Sequence, residues 1–311
     1  MSASTTYRLQ IFALGAKDYV PLTRAEFAAI QNAKRLLLLA LAIEEKLDVL
    51  VGNYRELEHE LLTIAVDYSV FRGDFEAQIG EINTINRRLL NYLSATRQYR
   101  DQSKHAFGAH YGRRSPEYQI LTDAVEAERS TSLGYRVMEA LRDYVQHRDA
   151  PCHMMVFNNR PDDSTTPHHI EHVAIPMVST EELADDPRFD REVLRDLEQV
   201  KDDRGYAEWM PFVREQIDAF GRIHKTARGI VDSEISSAAT LIEKWIERGR
   251  ERFGNVAGLV AWSADDRGCA IEVEHLLERQ NQRRSYYVDR KYRVLPDMAR
   301  RFVSSRQGPR D

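Results

Sequence analysis

The chain has 311 residues, enough for one large or two modest domains with ample core. Its 30% charged and 42% apolar residues exclude both a disordered and a membrane-embedded protein. A formal net charge of −5 excludes a polycation, although charge is uneven along the chain. The longest apolar run, 36–43, is far short of the ~20 residues a membrane span needs, and the opening MSASTTYRLQ has no secretory pattern. Cys152 and Cys269 are the only cysteines, which fits inert thiols in a reducing cytoplasm.

Residues 1–21 read as an irregular or briefly extended lead-in, with YRLQIFAL as its apolar patch. Thr23 and Glu26 form a capping-box pattern that opens a long helix to about Phe71. Leu37, Leu41, Leu47, Leu50, Tyr54, Leu57, Leu61 and Ile64 keep helical spacing along it. Gly73 interrupts, and a second helix is predicted over 75–107 with Ile79, Ile82, Ile85, Leu89 and Leu93 on its inner face. Gly108 and HYGRRSP break that helix. A third begins at Ser115-Pro116-Glu117 and runs into the stretch 133–153, LGYRVMEALRDYVQHRDAPCH, closed by Pro151.

After Pro151 the pattern changes. CHMMVFNN and HHIEHVAIPMV, separated by RPDDSTTP, predict a β-hairpin, the only strands the pattern marks firmly. Helices are expected over 188–203, 209–253 (with Gly221 and Gly229 as candidate breaks) and 269–283, while 256–264 is an ambiguous apolar run. The fold class expected is therefore mainly α: an up-and-down helical bundle over 1–150, a β-hairpin insertion over 151–180 and a C-terminal helical region over 181–311.

The chemistry concentrates in the third helical stretch. Leu133, Val137, Leu141 and Val145 recur every four residues, flanked by Met138 and Tyr144. Arg142 and His147 stand five residues apart near the closing end, with Asp143 beside the arginine. That spacing sets the two side chains about 140° apart and ~7.5 Å along the axis. They cannot stack as neighbours, but both can reach one anion from two sides. A cationic pair that merely complements the helix dipole has the same spacing. A second cluster, Arg97, Arg100, Lys104, His105, Arg113 and Arg114, closes the preceding helix. In a bundle, Arg97 or Arg100 could face Arg142 and His147. Such crowding of cations would itself point to a phosphate. A solvated helix end is the bland alternative.

RDYVQH fits the Arg-x4-6-His signature of the HEPN superfamily, and the chain resembles that superfamily over roughly residues 35–150. RDQSKH, Arg100 to His105, fits the same pattern. The resemblance implies a small all-helical bundle and a metal-independent endoribonuclease of the toxin or phage-defence kind, cytoplasmic and without a cofactor. Arg142 would grip the phosphate, His147 would move protons and Asp143 would orient one of them. Arg97, Arg100, His105, Arg113 and Arg114 are the candidate RNA-binding residues. A homodimer is implied, together with a neutralising or activating protein. Asp143 departs from the asparagine most usual there, which leaves room for a catalytically silent scaffold. The alternative function is a non-catalytic helical protein of interaction or oligomerisation.

The hairpin carries His153, His168, His169 and His172. HHIEH matches H-x-x-E-H literally, but that signature works on a helix, whereas Pro167, Pro176 and the β-branched residues favour a strand. A zinc site from His168, His172 and Cys152 or His153 is weighed against a polar strand edge, and no metal is expected. The basic, tyrosine-bearing stretch 279–306 suits either a nucleic-acid contact or pairing with the acidic stretch 181–208. Trp209, Trp245 and Trp262 are expected core anchors. No phosphate loop, dinucleotide glycine fingerprint or nucleophile elbow occurs.

Overall fold

The computed structural model describes residues 5–13, 17–71, 75–162, 169–276, 279–292 and 298–300. The fold is mainly α. Its elements in order are β1 (Thr6–Ile11), β2 (Val20–Leu22), α1 (Arg24–Val70), α2 (Phe75–His110), α3 (Pro116–Thr131), α4 (Leu133–His147), β3 (Met154–Asp162), β4 (His169–Ser179), α5 (Thr180–Ala184), α6 (Arg191–Glu198), β5 (Tyr206–Glu208), α7 (Met210–Phe253), β6 (Leu259–Ala264), β7 (Ala270–His275) and α8 (Arg279–Ser285). No described helix is long and apolar enough to cross a membrane.

The described residues fall into two compact units. One comprises 1–45, 105–119 and 225–293, and the other 46–104, 120–224 and 294–311. They are discontinuous in sequence, whereas the sequence pattern suggested consecutive blocks at 1–150, 151–180 and 181–311. The reason is helix length: α1, α2 and α7 run for 47, 36 and 44 residues, and each unit uses part of every one. Neither Gly221 nor Gly229 interrupts α7.

The first unit holds an antiparallel sheet ordered β2-β1-β6-β7. This corrects the expectation that the hairpin holds the only clear strands. The lead-in forms β1, the ambiguous run 256–264 forms β6, and β7 occupies the first part of the expected helix 269–283. Leu9 pairs with Ala261 in the register, and Leu9, Leu259, Val260 and Ala261 are all buried. A strand buried on both faces has no alternation to read, so periodicity alone could not separate β6 from a helix. The capping box is as expected: Thr23 N–H donates to Glu26 Oε2 at 2.8 Å and Glu26 N–H to Thr23 Oγ1 at 3.1 Å.

The second unit carries the β3-β4-β5 sheet, packed through Phe157, whose ring stacks on Tyr68 of α1 at 4.4 Å. The chain leaving α4 is pinned by Asn86, whose buried amide accepts from Cys152 N–H at 2.8 Å and donates to Cys152 O at 3.1 Å. Burial pushes the Cys152 thiol up to about 12, so it is an inert core group. Trp209 and Trp245 are core residues as expected, while Trp262 is only half-buried, with Arg8 over its ring.

α3 and α4 are separate helices, where one continuous helix was expected. Ser132 caps α4, its hydroxyl accepting from Tyr135 N–H at 3.1 Å and donating to Glu215 Oε1 of α7 at 2.9 Å. Gly134 N–H donates to Glu215 Oε2 at 2.9 Å, so one carboxylate closes the positive end of α4. A Cβ on Gly134 would stand 2.6 Å from both Glu215 Cβ and Phe212 O. Gly134→Ala is therefore expected to cost about 1–3 kcal/mol by overpacking, despite alanine's better helix propensity, as read by urea unfolding.

His153 sits where β3 begins. Its Nδ1 accepts from Ser179 N–H at 3.0 Å, which places the proton on Nε2, 3.4 Å from Glu182 Oε2. Burial lowers its pKa, against the pull of Glu182 and Asp149. Below ~6.5 the unfolded chain therefore binds a proton that the folded protein resists, and stability falls with pH. Between about pH 7.5 and about 5.5 the wild type should lose more stability than His153→Asn, whose amide oxygen can replace Nδ1 as acceptor. Urea midpoints at the two pH values measure this, and equal losses would refute it.

Candidate active site

A cavity of about 610 Å³ opens within the second unit, lined by α2, α3, α4, the 186–190 turn and α7. The helix phase explains its α4 wall. Val137, Met138, Leu141 and Tyr144 turn into the core, which leaves Arg142 half-buried on the flank, and Asp143 and His147 exposed at the rim. Arg142, Asp143 and His147 all line the cavity, and so do Arg97 and Arg100 from α2. The five-residue spacing thus presents both members of the Arg–His pair to one space.

His105, Arg113 and Arg114 do not line it. They are exposed residues of the 105–119 segment, which belongs to the other unit. The second Arg-x4-His match is therefore split, with Arg100 in the cavity wall and His105 outside it.

Acids interleave with the cations that the sequence allowed to meet here. Seven basic side chains line the cavity (Arg97, Arg100, Lys104, Arg129, Arg136, Arg142, Arg188) with six carboxylates (Asp101, Glu126, Glu139, Asp143, Asp186, Asp190). Arg97 pairs with Asp101, and Arg100 pairs with Glu139 and with Asp101 at 3.1 Å. Glu139 also meets Arg129 at 3.1 Å, and Arg136 meets Asp196 at 3.2 Å. These pairs hold the wall's charges near balance without any ligand.

Arg142 has Asp143 as its one ion-pair partner among the described residues. Its Nη1 donates to Asp143 Oδ1 at 2.8 Å, but that carboxylate is 69% exposed, so the pair is screened and worth ~0–1 kcal/mol. Its Nε is buried without a hydrogen-bond partner. A phosphate can displace Asp143 at little cost. Arg188 reaches over the end of α4, its Nη2 donating to His147 O at 3.3 Å and its Nε lying 3.5 Å from Asp186. That contact steadies the turn bearing the imidazole. Burial and Glu139 push the Tyr135 phenol up to about 12, so it remains a donor at the cavity floor.

Sequence reasoning missed Arg136 and Glu139 of α4, which line the same cavity. The i,i+3 spacing of Glu139 and Arg142 was the available signal for the acid. Arg188, Gln216 and Phe220 also line the cavity but come from distant segments, and nothing local marked them.

Among the described residues the hairpin histidines assemble no site. The last four residues of HHIEH, His169–His172, lie on β4, where His172 opposes Asn159 and edges the Tyr68 ring at 5.9 Å. His168 lies outside the described residues, among which no group of three or more His, Cys, Asp or Glu could hold a metal ion. Within 279–306, Arg283 pairs with Glu45 at 2.9 Å and Arg284 with Asp232, neither in the acidic stretch 181–208. Residues 293–297 and 301–306 of that stretch lie outside the described residues.

No protein-family model, curated protein or solved structure matches the chain.

Proposed function

We propose that the cavity is a phosphodiester site and that the protein is a metal-independent endoribonuclease of the kind the RDYVQH motif resembles. One observation carries this reading: Arg142 and His147 open onto the same cavity, with Arg97 and Arg100 on its opposite helix. In the proposed reaction the His147 imidazole takes the proton from a ribose 2′-OH. The freed oxygen attacks phosphorus, the O2′–P bond forms and the P–O5′ bond breaks. The proton held by His147 then passes to the departing 5′-oxygen, leaving a 2′,3′-cyclic phosphate. Arg142 holds the non-bridging oxygens and answers their growing charge. Asp143 keeps Arg142 extended until substrate arrives, and Arg188 positions His147 through the backbone. The same reading carries the expected homodimer, a cytoplasmic setting, and a neutralising or activating protein partner in a toxin or phage-defence role.

A second reading, a non-catalytic interaction protein, has its own observation. Val66, Val70 and Phe71 near the end of α1 are 60%, 68% and 65% exposed, an apolar face suited to oligomerisation. Labelled single-stranded RNA incubated with purified protein in EDTA separates the two. Cleavage to cyclic-phosphate ends supports the nuclease. A stable dimer that cuts no RNA favours the interaction protein.

A further inference from the structure

The cavity floor holds polar atoms that a phosphate alone cannot satisfy. Gln216 of α7 is 1% exposed, lines the cavity, and its Oε1 is buried without a hydrogen-bond donor. Two more buried polar atoms without partners belong to lining residues, Arg136 Nε and Arg142 Nε. A buried polar group in a folded protein is normally paired, so unpaired atoms on residues lining one space call for a partner there. The two arginine nitrogens call for an acceptor, which an anion supplies. Gln216 Oε1 calls for a donor, which an anion lacks. A ligand meeting both must carry negative charge at one end and N–H groups at the other. Two aromatic residues also line the cavity, Phe220 and Tyr135, their rings 5.4 Å apart at a 34° tilt.

We infer that Gln216 reads the base of a ribonucleotide seated in this cavity, its amide oxygen accepting from an exocyclic amino group. This rests on the nuclease reading for the phosphate end, but assigns a specificity-determining residue that the Arg–His motif does not contain. A side-chain amide pairs with a base edge through one acceptor and one donor, and aromatic side chains beside it favour a planar ring. About 610 Å³ accommodates a nucleotide. Bases that bear an amino group in place of a keto oxygen are therefore preferred: cytosine over uracil, adenine over hypoxanthine.

Affinities of the full-length protein for cytidine, uridine, adenosine and inosine 3′-monophosphates, measured by calorimetry, test this without any cleavage. The amino member of at least one pair is expected to bind about tenfold tighter than its keto partner. In Gln216→Met, close in volume, that separation should vanish while affinity for the nucleotides as a class persists. A separation below about threefold in both pairs, a keto preference, or a separation surviving in Gln216→Met overturns the assignment. Should Gln216→Met fail to fold by circular dichroism, Gln216→Glu keeps the acceptor and must keep the amino preference; its loss there overturns the assignment equally. The same comparison with 2′-fluoro tetramers of cytidine or uridine distinguishes sources. A preference seen with monomers and strands supports RNA as the ligand. A preference with monomers alone upholds the Gln216 site while removing the nuclease reading.

Discussion

His147→Ala is expected to lower RNA cleavage by about 10²–10⁴-fold, the usual contribution of a positioned general acid–base group. The loss should fall on the chemical step. His147 is exposed at the rim and closes no core contact, so melting and helicity should stay within the range of surface substitutions, about ±0.5 kcal/mol. Arg142→Ala should cost about 10²–10³-fold, since removing one group that answers transition-state charge has effects of that size. Because histidine and arginine act on the same phosphate, the double variant should be little worse than His147→Ala alone. Asp143 is exposed and contacts only Arg142 among the described hydrogen bonds and ion pairs, so Asp143→Asn should keep cleavage. Product mapping and single-turnover rates in EDTA provide the readout. Undiminished cleavage by His147→Ala would discard the proposed site, whatever nuclease activity remained.

The largest stability effect is expected in the first unit. Glu44 of α1 is fully buried and accepts from Arg228 Nε at 2.6 Å and from its Nη2, while Arg228 Nη1 donates to Tyr292 O at 3.1 Å. Glu44→Ala leaves a guanidinium in a site water barely reaches. Removing one partner of a buried pair costs about 3–5 kcal/mol, because the remaining charge keeps its desolvation penalty without its attraction. Glu44→Met with Arg228→Met should recover most of that loss, since an apolar pair of similar volume carries no charge to desolvate. Urea unfolding of the single and double variants measures both. A single variant within about 1 kcal/mol of wild type would show that water reaches Arg228 after all.

Local periodicity made most of the helical architecture readable. Thr23 and Glu26 mark the start of α1 through bonds only three residues long, and the inward rows of α1, α2 and α4 repeat within single turns. The hairpin of β3 and β4 was readable for the same reason, since its pairing needs only a short connection. The β1–β6 pair was not. Its partners stand some 250 residues apart, and no turn signal links them. β7 looked helical because 270–275 has no apolar row along one face, and none of its six residues is buried.

The candidate site divides along the same line. By itself the sequence determined that Arg142 and His147 leave one helix near its end, and that Arg97 and Arg100 leave another, because side-chain direction follows helix phase. Only the tertiary structure decided which of the neighbouring cations share a cavity. It placed His105, Arg113 and Arg114 outside, set Asp101 and Glu139 between the arginines, and brought Arg188 and Gln216 from distant segments. The reason is physical: helix phase is set by bonds between near neighbours, whereas a cavity is the space left when remote surfaces pack. No short stretch of sequence contains that space.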